Sequence, residues 1–274
     1  MPNQTRLQAI FGDKKPVIGM VHLPASPGQP QSFNQAPLEV LVKNVQKDVQ
    51  ALLAGGIDGL LFCNESDLPY TTRVDQEVGA WAAYFIGEMK SQMDKPYGVN
   101  LLWDPIASIA VAASTGASFV REVMCGSFAS EMGILQPDPA AVVRTRTRLR
   151  AEHIALLTNI VPEFATALAD RTVAQRAQAA AYFGFDALLV SGPVAGEEFS
   201  VKDVQEAKSK SNGVPVFANT GVKLENIEKT LQMADGVIIG SSLKVDGKTF
   251  NPVDPNRVKL FMEKVEKFRK NGSA

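Results

Sequence analysis

The stretch "GGIDGLLFCNE", residues Gly55–Glu65, shows the repeating unit on which the fold prediction rests. Its two leading glycines are residues that commonly end a helix. The apolar run Gly59–Cys63 follows, and the polar residues Asn64 and Glu65 come directly after it. A continuous apolar run, in contrast to an alternating one, is typical of a parallel strand that is buried on both faces. The stretch "GFDALLVSG", residues Gly184–Gly192, repeats the pattern.

Eight apolar runs of this kind alternate with stretches of helical periodicity along the 274 residues. Eight β/α units predict an α/β fold, a (β/α)8 TIM barrel of the kind found among phosphate-binding barrels. A doubly wound open sheet is the alternative, but it usually has fewer strands, and no glycine-rich fingerprint follows the first run. The runs are Val17–Leu23, Gly59–Cys63, Gly98–Trp103, Phe119–Met124, Ile154–Val161, Ala187–Ser191, Val214–Ala218 and Gly236–Ile239.

The chain shows no linker, so we expect a single barrel domain that spans residues 1–274. A short segment, residues 1–15, precedes the first strand and places Leu7, Ile10 and Phe11 on one face of a helix. We expect this helix to close the bottom of the barrel. The tail, residues 270–274, is expected to be frayed.

The composition excludes several classes of function. The formal net charge of −1 argues against a nucleic-acid partner, which would need a basic surface. The two cysteines, Cys63 and Cys125, form no spaced pair, so neither a disulfide framework nor a zinc site is expected. This cysteine usage favours a cytoplasmic location. Eighteen consecutive apolar residues occur nowhere, so no integral membrane segment is predicted.

In such barrels the active site lies at the carboxyl ends of the strands, which selects candidate catalytic residues by position. His22 ends the first predicted strand, Glu65 and Asp67 follow the second, Asn100 lies on the third and Arg121 on the fourth. A histidine titrates near neutral pH and can transfer protons there. The alternative for His22 is a rim residue that only holds hydrogen bonds.

Glu65 and Asp67 are two residues apart, and on an extended segment they would point the same way. We predict a carboxylate pair for proton transfer; metal binding with His22, or capping of the next helix, stays open. No metal and no cofactor are assigned. Arg121 and Glu122 are adjacent and must point to opposite sides of their strand. We favour Arg121 as the inward residue that holds an anion or a carboxylate, with the reverse arrangement as the alternative.

The loops after the last two strands predict an anion site. They read "NTG" at Asn219–Gly221 and "GSS" at Gly240–Ser242. A glycine lets backbone N–H groups approach an anion closely, and these two loops form the usual phosphate cradle of such barrels. The alternative is that both glycines only supply tight turns. The predicted phosphate-binding residues are Asn219, Gly221, Val222, Gly240 and Ser241.

Several motifs together resemble the BtpA/SgcQ family, from about Pro16 to Met262. The resemblance implies a (β/α)8 barrel akin to phosphate-binding barrels, and a founding member associated with photosystem I biogenesis. The chain departs from the family pattern on the fourth and fifth strands. The motifs are "PVIGMVHLPASPG", "GIDGLLFCNESDLPY", "YGVNLLWDP", "DALLVSGPVAG" and "ADGVIIGSSLKVDGKTFNPVDPNRVKLFM".

These observations predict an enzyme that acts on a small phosphorylated metabolite, either a sugar phosphate or a nucleotide-derived compound. Isomerisation, aldol-type cleavage and hydrolysis all fit, whereas a Schiff-base route fits poorly because no lysine lies inside a predicted strand. The alternatives are a biogenesis or stability factor that acts through protein contacts, and a ligand-binding regulator. Barrels of this size often self-associate, so a homo-oligomer is expected.

Overall fold

The computed structural model describes residues 4–194 and 196–271, and within them eight parallel strands close into a barrel with helices between them. The predicted fold class is therefore confirmed, and the open sheet is excluded. The strands are β1 (Val17–His22), β2 (Gly59–Cys63), β3 (Tyr97–Asn100), β4 (Phe119–Glu122), β5 (Phe128–Ser130), β6 (Gly133–Leu135), β7 (Ala155–Val161), β8 (Ala165–Ala167), β9 (Ala187–Ser191), β10 (Val216–Asn219) and β11 (Gly236–Ile239). Around the barrel the order is β1-β11-β10-β9-β7-β4-β3-β2.

The helices lie outside the barrel, apart from the first. Four short 3-10 helices also occur within the described residues, at Pro30–Ser32, Lys90–Gln92, Ser241–Leu243 and Val245–Gly247. No helix of the described part is long and apolar enough to cross a membrane. The α-helices are α1 (Arg6–Phe11), α2 (Leu38–Ala54), α3 (Gln76–Met89), α4 (Pro105–Thr115), α5 (Pro139–Arg148), α6 (Val173–Tyr182), α7 (Val201–Lys210), α8 (Ile227–Met233) and α9 (Pro255–Asn271).

The ends of the chain differ in detail from the expectation. The N-terminal helix α1 buries Leu7 and Phe11 among the residues of the inner barrel core. At the other end, α9 continues as a regular helix through Asn271, two residues into the tail that was expected to be frayed. Residues 272–274 lie outside the described residues, as do residues 1–3.

Two details were not predicted. The third strand ends at Asn100 and not at Trp103, because the Leu102 N–H leaves the ladder and donates to the Asn64 side chain at 2.8 Å. In addition, β5, β6 and β8 form a small antiparallel sheet in the order β6-β5-β8. Its strands follow the carboxyl ends of β4 and β7, so this sheet stands at the mouth of the barrel.

Two phenylalanine rings fill the lower interior of the barrel. A Cβ atom built on Gly98 would lie 2.3 Å from the Phe119 ring, and one built on Gly236 would lie 2.6 Å from the Phe217 ring. The absence of a side chain at these glycines makes room for the rings. Phe11 of α1 packs against Phe119 from below, with 5.8 Å between ring centroids. The lower half is therefore closed by apolar packing, and polar chemistry is left to the upper half.

The strand register brings the carboxyl ends of neighbouring strands to one level. His22 lies opposite Cys63, and Cys63 lies opposite Asn100 on the next strand. On the other side of the barrel, Asn219 lies opposite Ser191. Polar side chains that are far apart in the sequence therefore meet at the mouth.

We predict that Gly98→Ala and Gly236→Ala each lower the free energy of unfolding by about 1–3 kcal/mol, since the added methyl group overpacks the barrel interior. Gly87→Ala is the control, because Gly87 is exposed on α3 with no atom within 4 Å of an added Cβ. It should raise stability by about 1 kcal/mol through helix propensity. Urea denaturation measures all three values, and equal stability of G98A and G87A would contradict this packing.

Candidate active site

A solvent-open cleft of about 680 Å³ lies at the carboxyl ends of the barrel strands. The sequence prediction placed candidate residues on this face, and most of them line the cleft. Asn100 and Asp67 do not. The predicted residues that line the cleft are His22, Glu65, Arg121, Asn219, Gly221, Val222, Gly240 and Ser241.

The carboxylate of Glu163 is the hub of the polar network in the cleft. It forms a buried ion pair with Arg121, with N–O distances of 2.9 and 3.1 Å. Asn219 Nδ2 donates to it at 2.9 Å, Asn159 Nδ2 donates at 3.2 Å, and the Thr220 hydroxyl also donates to it. One carboxylate thus connects residues of β4, β7 and β10. Glu163 was not among the residues that the sequence predicted for the site.

Arg121 points into the barrel, which is the arrangement that the sequence favoured. Its guanidinium donates to Asn100 Oδ1 at 2.9 Å. Burial opposes its charge, but the carboxylates of Glu163 and Glu122 outweigh burial and raise the pKa of Arg121. Asn100 is fully buried and also donates to Glu122, so it positions both neighbours from below the cleft.

Glu122 lies on the other side of β4 and is buried without a salt bridge to a cation. Burial raises its pKa to about 8, although Arg121 and the hydrogen bond from Asn100 oppose the shift. At neutral pH Glu122 is therefore mostly protonated. It supports the position of Asn100 and does not face the cleft.

His22 stands half-buried at the rim with a defined tautomer. Its Nδ1 lies 3.1 Å from the carbonyl oxygen of Thr249. Burial and the nearby Lys244 ammonium hold the pKa of His22 well below its usual value, so the ring is neutral. A carbonyl only accepts, so Nδ1 carries the proton and Nε2 keeps a lone pair. An added Cβ on Gly240 would lie 3.5 Å from Nε2, which places this nitrogen beside the predicted anion loop.

Glu65 presents the second titratable group of the cleft. Burial and the neighbouring Glu163 raise the pKa of its carboxyl group, while Arg121 lowers it. Its Oε2 accepts a hydrogen bond from the Cys63 thiol at 3.6 Å. Burial raises the pKa of Cys63 well above its usual value, so this thiol is an unreactive member of the inner core, and both cysteines are free. A carboxyl group with a raised pKa is suited to proton transfer near neutral pH.

Contrary to the prediction, Asp67 does not form a carboxylate pair with Glu65. It accepts hydrogen bonds from the Ser26 N–H at 2.7 Å, the Ser26 hydroxyl at 2.9 Å and Asn64 Nδ2 at 3.0 Å. These bonds connect the loops after β1 and β2, because the chain turns after Glu65 and sends the two carboxylates in different directions. A metal site made of His22, Glu65 and Asp67 is therefore not formed, and the described residues contain no group of three such ligands.

The two predicted anion loops face each other across the cleft. The Ser242 hydroxyl of one loop donates to the Val222 carbonyl of the other. The N–H groups of Gly221, Val222, Ser241 and Ser242 donate no hydrogen bond to any residue that the structure describes. Gly221 has φ +70°, and an added Cβ there would lie 2.2 Å from the Glu197 carbonyl oxygen, so only glycine fits.

Sequence reasoning missed several residues of the cleft and its surroundings. Trp103 and Tyr70 line the cleft, although the first was placed within a strand and the second was not considered.

Lys244 is 2% exposed and lies just beyond β11. No barrel strand contains a lysine, as expected, but burial lowers the pKa of Lys244 and its charge acts on His22. The signal for Lys244 was its place in the motif "GSSLK", directly after the last strand.

The chain belongs to the BtpA family, whose model matches residues 13–267. It is 39% identical over 265 residues to the putative sgc region protein SgcQ of Escherichia coli, covering 96% of this chain and 99% of that protein. It is 30% identical over 257 residues to the photosystem I biogenesis protein BtpA of Synechocystis, covering 92% of this chain and 88% of that protein.

Solved structures show the same fold at low sequence identity. Phosphoribosyl anthranilate isomerase from Thermus thermophilus superposes with a TM-score of 0.59. The match is 11% identical in sequence and covers 93% of this chain and all of that one. At this identity the likeness shows the shared TIM-barrel fold.

We predict a distinctive pH dependence for Glu122→Gln. The folded-state pKa of Glu122, about 8, exceeds its unfolded value of about 4.5, so the folded protein holds the extra proton and loses stability as pH rises between these values. Glutamine has no proton to lose. The stability of E122Q relative to the unmodified protein should therefore increase from pH 5 to pH 8 in urea denaturation.

The control is Glu88→Gln, which changes an exposed glutamate on α3. Its stability should follow that of the unmodified protein at every pH. A constant difference between E122Q and the unmodified protein from pH 5 to pH 8 would contradict a protonated Glu122.

Proposed function

We propose that this BtpA-family barrel is an enzyme that binds a small phosphorylated compound in the cleft and transfers protons on it, as an isomerase, lyase or hydrolase. One observation carries the proposal. The cleft brings two loops, whose N–H groups donate to no residue that the structure describes, together with a neutral imidazole and a carboxyl group of raised pKa. An anion cradle beside a proton donor and acceptor is the arrangement that such chemistry needs.

The phosphate group is assigned to the two loops. Backbone N–H groups that have no protein acceptor need water or an anion, and four of them belong to residues that line the cleft. The backbone of glycine-containing loops approaches phosphate oxygens without hindrance from a side chain. In this proposal Gly221 and Val222 donate from one loop, and Ser241 and Ser242 donate from the other.

The rest of the substrate is oriented by donors on the opposite wall. Trp103 Nε1 and Arg121 Nε are buried polar atoms without a hydrogen-bond partner in the described structure, and both residues line the cleft. Such atoms are uncommon in the interior of proteins, and a bound polar group would satisfy them. Arg121 is held in place by Glu163 and Asn100, so its position is set before the substrate binds.

His22 and Glu65 are assigned to proton transfer. Because Nδ1 of His22 donates to Thr249, its Nε2 is the atom that can accept a proton from the substrate. Glu65, whose pKa is raised, can deliver a proton as an acid and recover it afterwards. A base at the end of β1 and an acid in the loop after β2 suit an isomerisation, an aldol-type cleavage or a hydrolysis. Asn100 acts as a positioning residue through Arg121.

The comparisons support an enzyme in general terms. The phosphoribosyl anthranilate isomerase that shares the fold is named for a phosphorylated compound. This likeness adds weight to the proposal but does not identify the substrate. Location in the cytoplasm and self-association into a homo-oligomer stay predictions.

The name of the Synechocystis relative favours a second function, a role in photosystem I biogenesis. A factor of this kind would act through protein contacts on the outer surface. It predicts that substitutions inside the cleft leave the function in the cell unchanged, whereas an enzyme loses its function with the same substitutions.

We predict that inorganic phosphate and sugar phosphates raise the melting temperature of the unmodified protein, because a ligand that binds only the folded state stabilises it. Ser241→Glu should abolish the shift by placing a carboxylate in the cradle. Ser209→Glu on the exposed end of α7 is the matched control and should keep the shift. The proposal fails if no phosphorylated compound shifts the melting temperature of the unmodified protein.

Proton transfer can be followed by NMR as deuterium incorporation from D2O into a phosphorylated compound that binds. We expect His22→Asn and Glu65→Gln each to slow incorporation by about 10²–10⁴-fold, the usual contribution of an acid or base. Phosphate affinity should stay within about threefold. His153→Asn, which changes the exposed second histidine, is the control. Normal incorporation in both cleft variants would remove these residues from the mechanism.

A further inference from the structure

A second cavity lies beside the cleft and shares lining residues with it. It encloses about 980 Å³ of solvent-open space and is here called the annex. Four residues line both the annex and the cleft, namely Glu65, Tyr70, Phe164 and Thr249. The two cavities are therefore neighbours at the mouth of the barrel, separated by no more than these four residues.

Phe164 stands at this shared wall in an unusual conformation. Its φ is +55°, a strained region that bulky side chains rarely adopt. Its N–H donates to the Pro193 carbonyl at 2.9 Å, which fixes the backbone there. The ring is 40% exposed, so core packing does not account for the strain. In this conformation the Phe164 side chain lines both cavities. Phe164 follows Glu163 directly in the chain.

The remaining wall of the annex is mainly apolar. Phe250 is 62% exposed and lines the annex together with Met132, Leu68 and Pro69. Met132 lies in the turn between β5 and β6, so the small sheet at the mouth supplies part of this wall. Exposed aromatic and methionine side chains grouped around a concavity are typical of a binding site for apolar groups.

The charges of the two cavities differ in a way that orients a ligand. The charged side chains that line the annex are Glu65 and Glu131, and its described wall contains no lysine, arginine or histidine. The cleft is lined by Glu65, by the Arg121–Glu163 ion pair and by the two loops, whose N–H groups donate to no residue that the structure describes. An anionic group is therefore favoured at the N–H groups of the loops and disfavoured in the annex, where no described cation would pair with it, so a ligand with phosphate at both ends does not fit this arrangement.

We infer that the cleft and the annex bind one molecule, a phosphate monoester whose other end is an uncharged aromatic or aliphatic group. This inference rests on the proposed function and narrows its substrate class. The phosphate lies on the loops of Gly221 and Ser241, and the apolar group lies between Phe164 and Phe250. Small bisphosphates and purely hydroxylated sugar phosphates would leave the annex without a partner.

The test is isothermal titration of the full chain with a series of phenylalkyl phosphates that carry one to four methylene groups. Each is compared with the hydroxyalkyl phosphate of equal length and with inorganic phosphate. We expect at least one phenylalkyl phosphate to bind at least tenfold tighter than its hydroxyl counterpart. This preference should fall to threefold or less in Phe164→Gly and in Phe250→Ser.

Both variants should fold. Glycine adopts φ +55° without strain, and Phe250 contributes an exposed ring; circular dichroism and thermal melting check this. Tyr182→Ser is the control, since Tyr182 is an 85% exposed aromatic residue at the end of α6, away from both cavities. It should keep the full preference.

Three results would overturn the inference, and they separate it from the proposed function. Equal affinity for phenyl and hydroxyl esters, with inorganic phosphate still bound, removes the annex as a subsite and leaves the proposed function standing. A preference that persists in F164G and F250S places the apolar group elsewhere. Absence of binding by inorganic phosphate and by every ester removes both proposals.

Discussion

The Glu163 carboxylate is the interaction on which the candidate site depends. It accepts hydrogen bonds from Arg121, Asn159, Asn219 and Thr220, which belong to different parts of the barrel wall. A carboxylate buried to this extent is stable only when charged and polar partners surround it. Its partners therefore cannot move independently, and the anion loop that begins at Thr220 is held in a fixed position relative to Arg121.

The lower half of the barrel contributes apolar packing, and the upper half holds the polar side chains of the candidate site. In the lower half Phe119 and Phe217 lie over Gly98 and Gly236, and α1 closes the bottom with Phe11. This packing stabilises the fold without polar groups. The upper half then holds a layer of buried polar side chains, whose desolvation shifts the pKa values of Glu65, Glu122 and His22. Burial of these ionisable groups costs folding free energy. The same burial shifts their pKa values, and shifted pKa values are typical of groups that transfer protons near neutral pH.

The fold could be predicted from the sequence because the signal is local and repeated. Each run such as Gly59–Cys63 carries its own strand pattern, and eight of them leave few alternatives. The positions of His22, Arg121 and the anion loops followed from the rule that barrel sites lie at strand ends. The rule gives a position along the chain but not the set of residues that line the cleft, because Asn100 ends β3 and does not line it, whereas Glu65 lies two residues past β2 and does.

The rest of the site depends on loop paths, which no periodicity encodes. Asp67 turns away from the cleft because Ser26 and Asn64 bind it, and neither contact can be read from spacing. Glu163 and Phe164 lie beyond β7, where the chain enters the small sheet at the mouth. That sheet has strands of three residues each, too short for an alternating pattern to be recognised. Lys244 was overlooked because the motif "GSSLK" gives its position after the last strand but not its burial.

The most direct test of the central claim is a crystal structure of the protein grown with millimolar inorganic phosphate. We expect tetrahedral density between the two loops, with phosphate oxygens within hydrogen-bond distance of the N–H groups of Gly221, Val222, Ser241 and Ser242. Density for phosphate only elsewhere, or a cleft in which these N–H groups are bonded to the protein itself, would contradict it.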